Sequence, residues 1–193
     1  NSRDFIRTEK KNGKHIFALE NGGLSREGRS FIAGVLAHMP EMTVFLNPIV
    51  NSYTRLRHSG APNRINWSFE NRGPLVRIPG QVGVHPRIEV RSADCCCNPY
   101  LSFRLLLAAG MEGIDRGLEL GEDLRVTAED KPFAALPETL EQACSLAKQS
   151  DFIRENLPAE ICRNFFASID RQLAMFRDAE GAQAFDEQYF LSE

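Results

Sequence analysis

Between Arg64 and Ser92 the apolar residues fall on every second position, while on either side they fall three and four apart. One period suits a strand and the other a helix, so no single secondary structure serves the whole chain. In Arg64-Ile65-Asn66-Trp67-Ser68-Phe69 a strand sends Ile65, Trp67 and Phe69 to one face and Arg64, Asn66 and Ser68 to the other. Leu75-Val76-Arg77-Ile78 and Arg87-Ile88-Glu89-Val90-Arg91 repeat the alternation, separated by turn-prone Pro79-Gly80 and a loop from Gly83 to Pro86. The expectation is a small antiparallel sheet with one apolar and one charged face.

The flanks read as helices. Ser25 is a good N-cap, and Phe31, Ile32, Val35, Leu36 and Met39 keep helical spacing until Pro40 is expected to stop them. A short helical or extended piece, Met42 to Leu46, follows. Asn98-Pro99 supplies a cap and a first-turn proline for a core helix carrying Leu101, Leu105, Ala108, Met111 and Ile114 to about Leu118. Helices are also expected from Pro137 to about Lys148 and from Pro158 to about Arg177. Residues 5–23, with Asn12-Gly13 and Asn21-Gly22-Gly23 as turns, read as a loop or edge hairpin. The fold class is α+β, antiparallel strands packed on helices and then a helical C-terminal part, without internal repeats.

Composition narrows the function classes. The 193 residues carry 23 Lys+Arg against 26 Asp+Glu, a net charge of −3, which argues against a protein that coats nucleic acid. No apolar run reaches the ~20 residues of a membrane span. The start, Asn1-Ser2-Arg3-Asp4, has neither a Met nor a signal-peptide core and reads as an internal fragment. Three of the five cysteines, Cys95, Cys96 and Cys97, are consecutive, and neighbours rarely bridge without strain, so a reducing, cytoplasmic setting is expected. With no second Cys pair or His at ligand spacing, the triplet reads as packing rather than a zinc site.

From Tyr53 to Arg91 there are seven arginines (Arg55, Arg57, Arg64, Arg72, Arg77, Arg87, Arg91), no lysine, and only Glu70 and Glu89 as acids. Arginine without lysine suits bidentate recognition of carboxylate or phosphate oxygens, and the plainer alternative is a solvated face laced with salt bridges. Glu89 stands between Arg87 and Arg91, either as their ion-pair partner or as a ligand for a cation that also touches a bound polyanion. Glu70 reads as structural, between strands. His15, His38, His58 and His85 form no pattern, and no Gly-rich phosphate loop is present, so any nucleotide must be held by side chains.

Five blocks resemble, in order and spacing, the C-terminal half of the catalytic domain of the glutamine synthetase family. They are Phe45-Leu46-Asn47-Pro48, Val50-Asn51-Ser52-Tyr53-Thr54-Arg55-Leu56, Asn71-Arg72 with Arg77-Ile78-Pro79, Arg87-Ile88-Glu89-Val90-Arg91-Ser92, and Asn98-Pro99-Tyr100-Leu101. Lys11-Asn12-Gly13-Lys14 and Gly22-Gly23-Leu24-Ser25 extend the likeness upstream. It implies that 1–193 is a portion of one such domain, with a core over 24–120 and a helical tail over 137–193.

The resemblance further implies a two-step ligase: the γ-carboxylate of glutamate attacks ATP, and ammonia or a primary amine captures the acyl phosphate. By the same likeness Arg55 and Arg91 hold glutamate, Arg72 contacts the transferring phosphoryl group and the nucleotide, and Arg77 contacts nucleotide phosphate. Glu89 corresponds to a ligand of Mg²⁺ or Mn²⁺, and the parent assembles as a homo-oligomeric ring. No nucleic acid or membrane partner is implied.

Three departures bear on this. The other metal carboxylates and a metal-binding His of the family lie upstream of Asn1, so the chain by itself is expected to be inactive. The flap glutamate of ammonia-using members has no counterpart in Arg57-His58-Ser59-Gly60, one residue shorter. The nearest basic residue to a family nucleotide lysine is His85. No tyrosine, Tyr189 included, matches a site of regulatory adenylylation. Loss of the flap acid leaves a non-enzyme alternative, a structural or regulatory protein on the same fold.

Overall fold

The computed structural model describes residues 4–6, 17, 23–58, 61–79, 87–125 and 132–179. Strand β1 (Asp4–Ile6) is followed by α1 (Arg26–Leu46), α2 (Val50–His58), β2 (Trp67–Phe69), β3 (Val76–Ile78), β4 (Ile88–Val90), α3 (Pro99–Asp115), α4 (Leu140–Gln149), α5 (Asp151–Asn156) and α6 (Ala159–Asp178). The fold is α+β. One four-stranded sheet has the order β1-β4-β3-β2, and Val76, Ile78, Ile88 and Val90 join the apolar face of α1 in a single core.

The helix starts follow the expected chemistry. Ser25 Oγ accepts from Gly28 N at 2.9 Å, and Asn98 Oδ1 accepts from Tyr100 N at 2.9 Å with Pro99 in the first turn. The helix begun at Ser25 does not stop at Pro40, however: α1 runs through it to Leu46 and absorbs the separate piece expected at 42–46. Proline removes one N–H and crowds the preceding turn, but Met39, Met42, Val44, Phe45 and Leu46 are all fully buried. Burial on both sides outweighs the local penalty of about 3 kcal/mol. Met111 departs too, lying 49% exposed with Tyr100, Phe103 and Leu107 on the outer side of α3. Near the N-terminus β1 is an edge strand antiparallel to β4; the turns expected at Asn12-Gly13 and Asn21-Gly22-Gly23 lie, apart from Gly23, outside the described residues.

The sheet is mixed. β1–β4 and β4–β3 are antiparallel as expected, but β2 pairs β3 in parallel, Trp67 with Val76 and Phe69 with Ile78. Long parallel strands need a crossover of a dozen or more residues. These strands have three residues each, so residues 70–75, with a reach of ~20 Å, suffice to carry the chain back. Glu70 turns the corner at φ 56°, and Asn71 Oδ1 accepts from Gly73 N at 2.8 Å. On the face expected to be charged, Asn66, Ser68 and Glu89 are buried, Arg77, Arg87 and Arg91 are partly exposed, and Arg64 is exposed. Ser68 Oγ donates to Asp123 Oδ1 at 2.7 Å, tying β2 to the segment after α3.

α1 packs most extensively on α3, and glycines set the distance. A Cβ on Gly34 would lie 2.1 Å from the Ala109 carbonyl oxygen, and one on Gly113 would lie 2.2 Å from that of Ser30. Backbone meets backbone, so neither clash can be relieved by a side-chain rotation. Gly113→Ala is therefore expected to lower the unfolding free energy of this chain by about 3 kcal/mol, the upper end for overpacking, in urea melts. Gly121→Ala, with nothing within 4 Å, serves as the silent control.

Asp123 yields a pH prediction. Burial pushes its carboxyl up, but the hydrogen bonds from the side chain and backbone of Arg125 and from Ser68 outweigh this and hold it below the usual carboxylate range. A lowered folded-state pKa gives stability that is fully present above the ordinary value near 3.9 and is lost as pH falls through the folded value. Asp123→Asn should thus be clearly less stable than the parent at pH 7, and the gap should close below about pH 4. Melting temperatures across pH 3–7 check it.

Candidate functional site

The β3–β4 register sets Arg77 directly opposite Glu89. Glu89 is 1% exposed, and an isolated carboxylate at that depth is not tolerated without compensation. Arg77 Nη1 donates to its Oε2 at 3.0 Å, and Arg91 Nε lies 3.4 Å from Oε1. The pair that holds Glu89 thus includes Arg77 across the strand, which one-strand spacing could not reveal. Arg87, at the start of β4, is half-buried.

The remaining N–H groups of these arginines fold the loop between β2 and β3. Arg77 Nε donates to the Glu70 carbonyl at 3.1 Å, while Arg91 Nη1 donates to the carbonyls of Arg72 and, at 3.4 Å, of Pro74. Carbonyls 70, 72 and 74 therefore turn inward on the guanidinium groups. The side chain of Arg72, between them, turns outward, is exposed, and bonds to no described residue. Glu70 is exposed at this corner, so its backbone carries the structural role expected of the residue.

Arg55 reaches the same place from α2. Its Nη2 donates to Asn47 Oδ1 at 2.8 Å and to the Ser92 carbonyl, and its Nε lies 3.3 Å from Asp94 Oδ2. Burial pushes the Asp94 carboxyl up, but the Cys96 backbone N–H and the Arg55 guanidinium outweigh it and hold the group below the usual range. Beside Arg55, which bonds Asn47 and Ser92, the buried atoms Asn47 Nδ2 and Ser92 Oγ have no hydrogen-bond partner among the described residues. Such a concentration of unmet polar groups is what a polar ligand, or a further polar segment, satisfies.

α2 is itself held from far along the chain. Gln172 of α6, 3% exposed, accepts from Val50 N at 2.8 Å through Oε1 and donates to the Pro48 carbonyl at 3.2 Å, capping the helix that carries Arg55. Phe165 of the same helix stacks on Phe45 with ring centroids 4.3 Å apart.

Arg55, Arg72, Arg77, Glu89 and Arg91 are thus contiguous, linked through Arg91, Ser92 and the 70–75 loop. Arg64 is not part of the cluster: it is exposed and donates to the Phe133 carbonyl at 3.4 Å. Ser59, Gly60 and His85, and the side chains of Arg57 and His58, lie outside the described residues. Asn47, Ser92, Asp94 and Gln172 were missed as positioning residues. Asn47 and Ser92 lie within the segments that carry the family resemblance, but Gln172 has no signal in the sequence, because its partners are more than a hundred positions away.

As a metal ligand, Glu89 offers a hard oxygen among cations, and no cluster of three ligating side chains forms around it among the described residues. It fits a divalent ion as one donor of several. Its structural share is directly measurable. Glu89→Leu leaves Arg77 and Arg91 uncompensated below the surface and should cost about 3 kcal/mol in chemical denaturation of this chain. Arg64→Ala, on an exposed side chain, should stay within about 0.5 kcal/mol.

Comparison with known proteins gives the following. The family model described as "Glutamine synthetase, catalytic domain" matches residues 8–187. The glutamine synthetase of Methanosarcina mazei is 37% identical over 169 residues, covering 82% of this chain and 38% of that protein. That of Halobacterium salinarum is 35% identical over 178 residues, covering 86% and 39%. Among solved structures, apo GmaS without ligand superposes with TM-score 0.80 at 27% identity over 93% of this chain and 42% of that one. A GmaS/ADP complex in conformation 1 matches with TM-score 0.80 at 25% identity over 98% and 45%. The chain spans about two fifths of the length of the curated relatives it matches.

Proposed function

The chain belongs to the glutamine synthetase family, and from that premise we propose that its parent protein is an ATP-dependent ligase joining glutamate to ammonia or a primary amine. The carrying observation is the contiguous set Arg55, Arg72, Arg77, Glu89 and Arg91, in which one buried acid holds cations at the place where phosphate and carboxylate oxygens would come. Transfer of the γ-phosphoryl group depends on positioning and on spreading charge from its oxygens. Arg72, whose side chain is exposed and bonds to no described residue, is the guanidinium with most freedom to follow those oxygens. Arg77 would hold nucleotide phosphate, and Arg55 and Arg91 the carboxylates of glutamate. Glu89 would give one oxygen to Mg²⁺ or Mn²⁺, which when bound neutralises charge between phosphate and substrate. A structural neighbour solved with ADP supports the nucleotide reading.

The remaining metal ligands would come from the part of the parent that these 193 residues do not include, so this chain alone should show no turnover. A cytoplasmic, ring-forming homo-oligomer follows from the same reading. Among the described residues no helix is long and apolar enough to cross a membrane.

In the full-length parent, Glu89→Gln is expected to remove most activity while Glu70→Gln, exposed and acting through its backbone, leaves it nearly intact. Arg72→Lys should lower kcat by ~10²–10³-fold, because an ammonium cannot reproduce the planar fork. Coupled assays of phosphate release measure all three, and equal losses at Glu70 and Glu89 would refute the assignment.

The amine is the finer part of the proposal. Where family members bring a flap glutamate to attract ammonium, this sequence has Ser59-Gly60, so a carbon-bearing primary amine with its own binding surface is favoured, and the acyl phosphate is more open to water. The expected outcome is a higher kcat/KM with methylamine, ethanolamine or putrescine than with ammonium, accompanied by some amine-independent phosphate release. A best kcat/KM with ammonium and tight coupling would restore ordinary glutamine synthesis.

A further inference from the structure

The cysteine triplet was expected to pack, yet Cys95 and Cys96 are exposed and unpaired, in the turn between β4 and α3. Their Sγ atoms and a carboxylate oxygen of Asp94 all lie within 4.8 Å of one another. We propose that Asp94, Cys95 and Cys96 form a binding site for a thiophilic divalent cation of the zinc class, adjoining the arginine cluster at Arg55 and not required by the ligase reading.

Three observations carry it. Asp94 is oriented for two jobs at once. Its Oδ1 faces the thiols, 3.4 Å from Cys95 Sγ and accepting from Cys96 N at 3.0 Å, while its Oδ2 faces Arg55. A cation on the thiol side therefore need not displace the guanidinium. The charges also close: two thiolates and one carboxylate are balanced by a divalent ion on one side and Arg55 on the other. Binding releases the two thiol protons to solvent, with no redox change. Finally, neighbouring cysteines bridge only with strain, so the reduced pair stays available. Two sulfurs and one oxygen match zinc with three protein ligands and an open fourth position.

Cobalt reports such sites, because thiolate coordination gives a charge-transfer absorption that carboxylate or imidazole ligation does not. The reduced 193-residue chain, titrated with Co²⁺ in a non-chelating buffer, should develop this band, saturate at one equivalent, and lose it on addition of Zn²⁺. The Cys95→Ser/Cys96→Ser variant should lack the band, and Cys144→Ser/Cys162→Ser should keep it. Asp94→Asn should weaken the affinity roughly 10–100-fold, the scale seen when a supporting group of a metal site is removed. Circular dichroism verifies that each variant is folded. A parent chain without the band, a band of equal strength in Cys95→Ser/Cys96→Ser, or unchanged affinity in Asp94→Asn would each overturn the proposal.

Discussion

Glu89 is a carboxylate at almost complete burial, and the middle of the structure is arranged around compensating it. Two guanidinium groups answer it, from the facing strand and from the end of its own. Having answered it, they still carry N–H donors, and these take the inward carbonyls of Glu70, Arg72 and Pro74. The tight return that lets β2 run parallel to β3 is thus held by the groups that neutralise Glu89. Buried ion pairs are weak evidence of stability, since the desolvation of each charge is large. On the proposed function, they are the resting arrangement of charges that a bound polyanion and cation would redistribute.

The second half of the site depends on length. α2 brings Arg55 to Ser92 and Asp94, but its own first turn is capped by Gln172 and its approach is fixed by Phe165 against Phe45. A helical tail that looks like an appendage in the sequence is therefore part of what aims Arg55. The glycine contact of α1 with α3 serves the same end, since α1 ends in Leu46-Asn47 and α3 begins just past the Cys95–Cys97 turn.

How much of this was legible follows from the range of each interaction. Ser25 and Asn98 capped helices as expected, because capping is decided within three residues. The alternation over 64–92 located the strands but not their partners: the parallel β2–β3 pairing and the Arg77–Glu89 bridge depend on register, which no single strand encodes. Pro40 misled because a local rule met a core large enough to override it. The cysteines misled in the other direction, since burial of cysteine is only a tendency and nothing local distinguished an exposed turn. The candidate site residues stand out by type, seven arginines without a lysine, and by resemblance; the residues that position them, Asn47, Asp94 and Gln172, do not, since they matter only through contacts.

The central claim is that the charges around Glu89 are prepared for a cation and phosphate, not merely for one another. The most direct measurement is a crystal structure of the full-length parent with Mn²⁺ and ADP, using anomalous scattering to locate the metal. The account predicts a Mn²⁺ peak about 2.1 Å from a Glu89 oxygen, with Arg77 turned from Glu89 to phosphate oxygens. Nucleotide bound with no metal at Glu89, and both arginines still paired to it as here, would contradict it.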